Sequence, residues 1–260
     1  SLGCAVYDIR LGEPSQLTSA LTADASTRQM NNGRYRVIVS NQGDVGQVYD
    51  LKNKRAVLNT VHQQMIYDHE DTWPAWEVSY TDVCRAPSAT LGSGAQVTLV
   101  EDGPLRKSFR VERSQAGSTF VQYIRMTALS DRIDCVNEVD WQTQERMLKV
   151  QFPFPFSTSQ DTYDISLGTI TRGIRNDCYE VQGQQWADHT AASGLYGVSI
   201  LNDCKYGWDK PDARTLRLTL LHTPSCGGYK HQANMDMGPN QFTYAILPHD
   251  GGWNQLTQTE

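Results

Sequence analysis

Ile133-Asp134-Cys135-Val136-Asn137-Glu138-Val139-Asp140 decides the fold class. Ile133, Cys135, Asn137 and Val139 share one parity; Asp134, Val136, Glu138 and Asp140 share the other. Successive side chains of an extended chain point to opposite faces, so the octapeptide reads as a half-buried strand. The same period of two recurs outward in both directions. Tyr35, Val37 and Val39 alternate with Arg36 and Ile38, and Phe109 and Val111 with Arg110 and Glu112. Val97 and Leu99 lead to the turn Asp102-Gly103-Pro104, and Phe120, Tyr123 and Ile124 run into Met126. Leu216, Leu218 and Leu220, then Phe242, Tyr244 and Ile246, complete the series. Asn32-Gly33, Asp102-Gly103, Ala116-Gly117 and Asp250-Gly251 read as turns between strand runs. The pattern predicts an all-β chain of about a dozen or more strands in packed antiparallel sheets. Residues 14–27 have weak helical spacing but are rich in Ser and Thr, and read as an irregular strand or loop. Residues 62–87 and 221–241 read as long irregular stretches, which in compact domains are usually functional or touch another domain. With no propeller-period repeat and no Pro/Ser/Gly linker, residues 1–260 read as one domain.

Composition excludes several function classes. At 260 residues, 39% hydrophobic and 20% charged, the chain has enough apolar material for a core and is not a disordered polymer. A formal net charge of -6 argues against a nucleic-acid binder, which carries a basic stripe. No apolar run nears the roughly eighteen residues of a membrane span, so no membrane partner is expected. The chain opens Ser1-Leu2-Gly3-Cys4 without Met or a charged-then-apolar leader, which reads as a processed chain or a piece of a longer one. Cys4, Cys84, Cys135, Cys178, Cys204 and Cys226 are widely and irregularly spaced, with no Cys-x-x-Cys, and read as reduced, mostly buried thiols. No Asn-x-Ser/Thr acceptor occurs.

The chemistry-bearing residues are scattered. Carboxylates cluster at Asp68, Glu70 and Asp71, at Glu138 and Asp140, and at Asp203 and Asp209. Sugar hydrolysis needs two carboxyl groups facing one bond, and spacing alone sets no pair of these across a substrate. His62 and His69, and His222 and His231, lack a recognised metal-ligand spacing. There is no Gly-x-Ser-x-Gly elbow, phosphate loop or dinucleotide fingerprint. Six Trp and twelve Tyr remain. Trp73-Pro74-Ala75-Trp76 offers two indoles for stacking on sugar rings, and Trp186 and Trp208 also fall outside the clean strand pattern.

Seven segments, in order, resemble the C-terminal β-region of glycoside hydrolase family 38 α-mannosidases. They are Met30 to Val37, Gly46 to Asp50, Trp73 to Trp76, Val139-Asp140-Trp141 with Leu148 to Pro153, Gln185 to Asp188, Tyr196 to Gly207, and Phe242 to His249. Pro74, Gln185 and Asn240 depart from the family's wording, as does residues 222–237, where an Arg-Ser-Pro and an acidic segment are usual. The resemblance implies an antiparallel super-sandwich similar to the galactose mutarotase-like fold. It also implies a retaining mechanism in a longer enzyme, with an N-terminal α/β catalytic domain and a helical bundle as partner domains, and α-mannoside glycans as substrates. In that family an aspartate nucleophile contacts a zinc ion held through a His-x-Asp-x-Gly-Trp motif of the N-terminal domain. His249-Asp250-Gly251-Gly252-Trp253 echoes that motif but follows the last strand segment. No position here matches the nucleophile or the zinc ligands, so no catalytic residue and no zinc is expected in this chain. Trp186, Asp203, Lys205 and Tyr206 are the expected wall residues of a sugar pocket, and Trp73 and Trp76 the expected stacking pair. The wording of residues 202–207 is closer to the cytosolic and bacterial branch than to the lysosomal or Golgi one. The alternatives are a free-standing carbohydrate-binding module, or an aldose epimerase-like enzyme using a His and a Glu.

Overall fold

The computed structural model describes residue 8 and residues 19–68, 76–176, 180–224 and 237–255. The first five strands are β1 (Thr22–Asp24), β2 (Gln29–Asn31), β3 (Tyr35–Val39), β4 (Val45–Asp50) and β5 (Arg55–Leu58), and they form a meander in that order. Then come β6 (His62–Tyr67), the single short helix α1 (Tyr80–Cys84), β7 (Ala89–Thr90), β8 (Gln96–Asp102), β9 (Arg106–Gln115), β10 (Ser118–Thr127), β11 (Ile133–Trp141) and β12 (Arg146–Pro153). The chain continues through β13 (Gln160–Asp164), β14 (Thr169–Gly173), β15 (Val181–Gln182), β16 (Trp186–Thr190), β17 (Tyr196–Asn202), β18 (Gly207–Asp212), β19 (Thr215–Thr223) and β20 (Gly238–Asp250). A nine-stranded sheet has the order β14-β13-β16-β17-β20-β11-β10-β9-β8, and a six-stranded sheet the order β15-β18-β19-β12-β6-β7. Pairing is antiparallel throughout, and the fold is the expected all-β super-sandwich.

The alternation of the opening octapeptide becomes the packing. On β11, Ile133, Cys135, Val139 and Trp141 are buried, and Cys135 pairs across to Ile124 of β10 and Tyr244 of β20. Leu148, Val150 and Phe152 of β12 and Leu216, Leu218 and Leu220 of β19 join the same core from the six-stranded sheet, and Val37, Val39 and Val48 join it from the meander. Two of the turns have a clear local cause. Asn32 Oδ1 accepts the backbone N–H groups of Arg34 (3.0 Å) and Tyr35 (2.7 Å), while Gly33 takes φ +85°. Ala116 and Gly117 both have positive φ, +50° and +83°, as a two-residue hairpin matched to strand twist requires.

Between the two large sheets runs a polar seam. Asn137 Oδ1 accepts from Gln63 Nε2 (2.8 Å) and Gln122 Nε2 (2.9 Å), and Gln122 Nε2 also reaches the Tyr244 hydroxyl (2.8 Å). Arg113 Nη1 meets Asp44 Oδ1 at 3.1 Å. Burial opposes both charges, pulling the Arg113 guanidinium down and pushing the Asp44 carboxyl up, while each one's charge offsets part of the other's penalty. Asn137 is thus an inward residue of the alternation whose amide is satisfied by partners on both sheets.

Three expectations need correction. Residues 62–87 and 221–241 are not wholly irregular, because the first contain β6 and α1 and the second the end of β19 and the start of β20. Asp250-Gly251 does not join two strands; it follows β20, the last strand among the described residues. Of the three cysteines in the described residues only Cys135 is buried, while Cys84 and Cys204 are exposed and all three are free thiols. Cys4, Cys178 and Cys226 lie outside the described residues. Within residues 14–27, the described part contributes β1.

Candidate functional site

The densest array of buried charge lies on the face of the six-stranded sheet turned away from the core. On β12, Leu148, Val150 and Phe152 point inward, so Lys149 must point outward; it is nevertheless fully buried. An ammonium has three N–H bonds and no acceptor. The Lys149 Nζ spends them on Asp209 Oδ1 (2.8 Å), Thr219 Oγ1 (2.8 Å) and Glu180 Oε1. The second oxygen of Asp209 accepts Nε of Arg217 at 2.8 Å and also its Nη2. Arg217 Nη2 further donates to the Val83 carbonyl at 3.1 Å, which ties α1 down over the sheet. Trp208 is core, so strand alternation turns Asp209 outward and neighbouring Lys210 inward, toward partners on the nine-stranded sheet. Lys210 Nζ reaches Asp161 Oδ2 (3.1 Å), whose other oxygen faces His189 Nδ1 (2.8 Å). The His189 ring stacks on Phe154 at 3.9 Å.

A pocket of about 70 Å³ opens beside this array, lined in part by Tyr80, Cys84, Tyr163, Asp209, Lys210 and Arg217. Each buried acid here already has a base, and both Asp209 oxygens are engaged. Such an array fixes geometry; it leaves no pair of carboxyl groups free to flank a glycosidic bond. A second buried set lies on the outer face of the nine-stranded sheet. Asp188 Oδ2 accepts from Ser199 Oγ (2.8 Å) and meets His249 Nε2 (2.7 Å), and its Oδ1 accepts from Thr190. His222 Nε2 lies 2.7 Å from the buried Asp68. His189, His222 and His249 therefore each face an aspartate rather than a glutamate. Among the described residues no three His, Cys, Asp or Glu side chains come together where a metal could be held, so these residues do not fit a zinc ion.

The structure brings Trp186 beside the 202–207 turn, since Trp186 pairs with Leu201 and the Asn202 N–H donates to the Gln185 carbonyl. Trp186 opens β16, is 8% exposed, and packs against Trp253 with ring centroids 5.0 Å apart. Asp203 takes the Thr243 N–H on Oδ2 (3.0 Å) and gives its own N–H to the Thr243 carbonyl (3.2 Å), pinning the 202–207 turn to β20. Asn202 Oδ1 closes that turn on the N–H groups of Cys204 (3.1 Å) and Lys205 (2.6 Å). The Lys205 ammonium sits 4.8 Å from the Phe242 ring centre. Tyr206 is 60% exposed and Trp76 is 79% exposed. Trp73 lies outside the described residues, as do Glu70, Asp71, His69 and His231. Asp203 and Asp209 belong to separate arrangements, and Glu138 and Asp140 stand on the exposed face of β11. Trp141 and Trp208 are core.

Lys149, Glu180, Lys210 and Arg217 were not singled out from the sequence. The signal was there for Lys149: a lysine inside the run Met147-Leu148-Lys149-Val150, buried on both sides, demands carboxylate partners. The partners lie 31 to 70 residues away, which local spacing does not reveal.

The fold is similar to that of solved proteins. An α-mannosidase from Enterococcus faecalis V583 superimposes with a TM-score of 0.78 at 15% identity, covering 92% of this chain and 31% of that one. A galactose mutarotase related enzyme from Lactobacillus acidophilus gives a TM-score of 0.51 at 8% identity, covering 86% of this chain and 97% of that one. Among sequence relatives, alpha-mannosidase 2C1 of Mus musculus is 31% identical over 192 residues, covering 70% of this chain and 18% of the relative. An alpha-mannosidase of Saccharomyces cerevisiae is 27% identical over 263 residues, covering 92% of this chain and 24% of the relative. The chain thus spans about a fifth to a quarter of the length of these relatives. Residues 30–227 match the profile of the glycosyl hydrolases family 38 C-terminal domain, and the chain belongs to that family.

Proposed function

We propose that this chain is the C-terminal β-region of a longer retaining α-mannosidase, supporting the catalytic machinery without supplying its nucleophile. The family match over residues 30–227, on a chain spanning only 18% to 24% of the relatives compared, carries this reading. In it the nucleophile and the zinc ion belong to an N-terminal catalytic domain, with a helical bundle as further partner. Terminal α-mannosides of glycans are the substrate. The β-region supplies stiffness. Lys149, Asp209 and Arg217 are cross-linked to each other and to α1, so the surface they carry does not yield. Stiffness matters because misplacing reacting groups by about 1 Å can cost about 10²-fold in rate.

Trp186, Asp203, Lys205 and Tyr206 are the wall residues of this reading. The exposed Tyr206 phenol is the group that would meet a sugar hydroxyl. Asp203 and Lys205 hold its turn on β20. Trp73 and Trp76 are the stacking pair of this reading. The test is hydrolysis of a chromogenic α-mannoside, with zinc supplied, by this chain and by the longer polypeptide. We expect turnover by the longer form only. Turnover by the chain alone would overturn the allocation of chemistry to another domain.

A further inference from the structure

The outer face of the nine-stranded sheet carries an open trough of about 320 Å³. Its floor is built by register. Thr171 of β14 pairs with Thr162 of β13, and Thr162 pairs with Asp188 of β16. The three side chains therefore share one face, with Gln160 and Thr190 two residues along their strands. The Thr162 and Thr171 hydroxyls lie 3.3 Å apart. Trp253 forms one wall, half-buried and propped on Trp186.

The chemistry of the lining selects the ligand class. No lysine or arginine lines the trough, so an anion has no partner in it. Its one carboxylate, Asp188, is already occupied by Ser199, His249 and Thr190, so a cation finds little there. What remains is a row of neutral hydroxyl and amide groups beside an indole. A ligand matching that has a rim of hydroxyls and an apolar face of C–H bonds, which describes a pyranose. The trough falls within the usual size range of ligand sites. Neighbouring strands lie about 4.8 Å apart, comparable with the length of one sugar ring, so successive rings of an oligosaccharide would meet successive strands. We propose that this trough is an accessory site for a neutral oligosaccharide, with Trp253 as stacking platform and Gln160, Thr162 and Thr171 as hydrogen-bonding floor. The choice of a mannose oligosaccharide as ligand rests on the α-mannosidase reading above; the site itself rests on its lining.

The experiment is a titration of this 260-residue chain with α-linked mannotriose, followed by tryptophan fluorescence and by calorimetry, with cellotriose as the comparison sugar. Saturable binding of mannotriose is expected, weakened about tenfold or more by Trp253→Ala and measurably by Thr171→Ala, and unchanged by Leu129→Ala at an exposed position outside the trough. Thr171 is exposed on a sheet edge, so its variant keeps the test meaningful should Trp253→Ala unfold; circular dichroism decides that. No saturable binding of either sugar by the folded chain, or binding indifferent to both Trp253→Ala and Thr171→Ala, overturns the proposal. Binding of cellotriose alone keeps the trough as a sugar site and removes its link to mannosides. Hydrolysis by the longer polypeptide is read separately, so either conclusion can fail without the other.

Discussion

Lys149 shows how one side chain commits a sheet face to structure. Its three donors meet three acceptors from β15's approach, β18 and β19, and removing it would leave Asp209 and Glu180 as buried or half-buried acids facing one another. Breaking a buried pair by deleting one partner costs about 3–5 kcal/mol, because the surviving charge stays buried. Lys149→Met keeps the stem and removes the charge, and is expected to lose about that much in urea unfolding. Adding Glu180→Gln should return part of it, since Glu180 is the acid left without its base while Asp209 keeps Arg217. A Lys149→Met chain as stable as the parent would show that water or rearrangement replaces the ammonium. At this scale the sequence was only partly legible. Trp186, Asp203 and Lys205 stand out as residue types, but what they touch is set by cross-sheet register, which local spacing does not encode. Asp203 looked like a partner for Asp209 six residues on, yet one side chain pins a turn to β20 and the other closes an ion network.

At the scale of elements, the meander is tied to the rest of the fold by a clasp at the end of β20. Asp250 receives Lys52 Nζ (3.1 Å) and Asn53 Nδ2 (2.6 Å) from the turn after β4, and Arg34 lies 3.6 Å away while also bridging Asp50 at 3.0 Å. Partial burial alone would raise the Asp250 carboxyl, but the hydrogen bonds from Asn53 and Lys52 and the charges of Arg34 and Lys52 outweigh it and hold the group below its ordinary range. A carboxyl with a lowered folded-state pKa contributes stability above its unfolded pKa, near 3.9, and loses it as pH falls through the folded value. Asp250→Asn should therefore be less stable than the parent at pH 7, by at most about 1 kcal/mol because the side chain is 38% exposed. The difference in Tm should close progressively below about pH 4. A gap that persisted undiminished to the acid end would show that the charge on Asp250 is not what stabilises the clasp. Elements were the most legible level. β3, β8, β9, β11, β19 and β20 follow directly from alternation, whereas in β10 Tyr123 falls on the parity opposite to Phe120, Ile124 and Met126. β6 escaped because Gln63 and Gln64 break the apolar pattern, although both are buried and bonded, to Asn137 and Gln151. β17 escaped for the opposite reason: Tyr196 to Ile200 are buried on both faces, so no alternation is left to read.

Over the whole molecule, the question is whether three sheets make one cooperative unit. A single cluster of buried residues runs from Val37 and Val48 in the meander through Ile124 and Ile246 in the nine-stranded sheet to Val150 and Leu218 in the six-stranded one. The Tyr35 hydroxyl donates to the Pro248 carbonyl at 3.2 Å, and Arg113 bridges from β9 to Asp44, just before β4. Loosening the meander therefore exposes apolar surface and orphans polar groups on its neighbour at once, and partial unfolding gains less entropy than it costs in contacts. We expect one thermal transition for the chain, with calorimetric and van't Hoff enthalpies in agreement. Val37→Ala in the meander and Ile124→Ala in the nine-stranded sheet should both shift that one transition, the second by about 2–5 kcal/mol and the first by less, as deletion of fewer buried methyl groups implies. If Val37→Ala instead splits the melt into two steps, with the earlier one sensitive only to meander substitutions, the meander is a separate unit. The clasp at Asp250 would then be a joint between two domains rather than a seam within one.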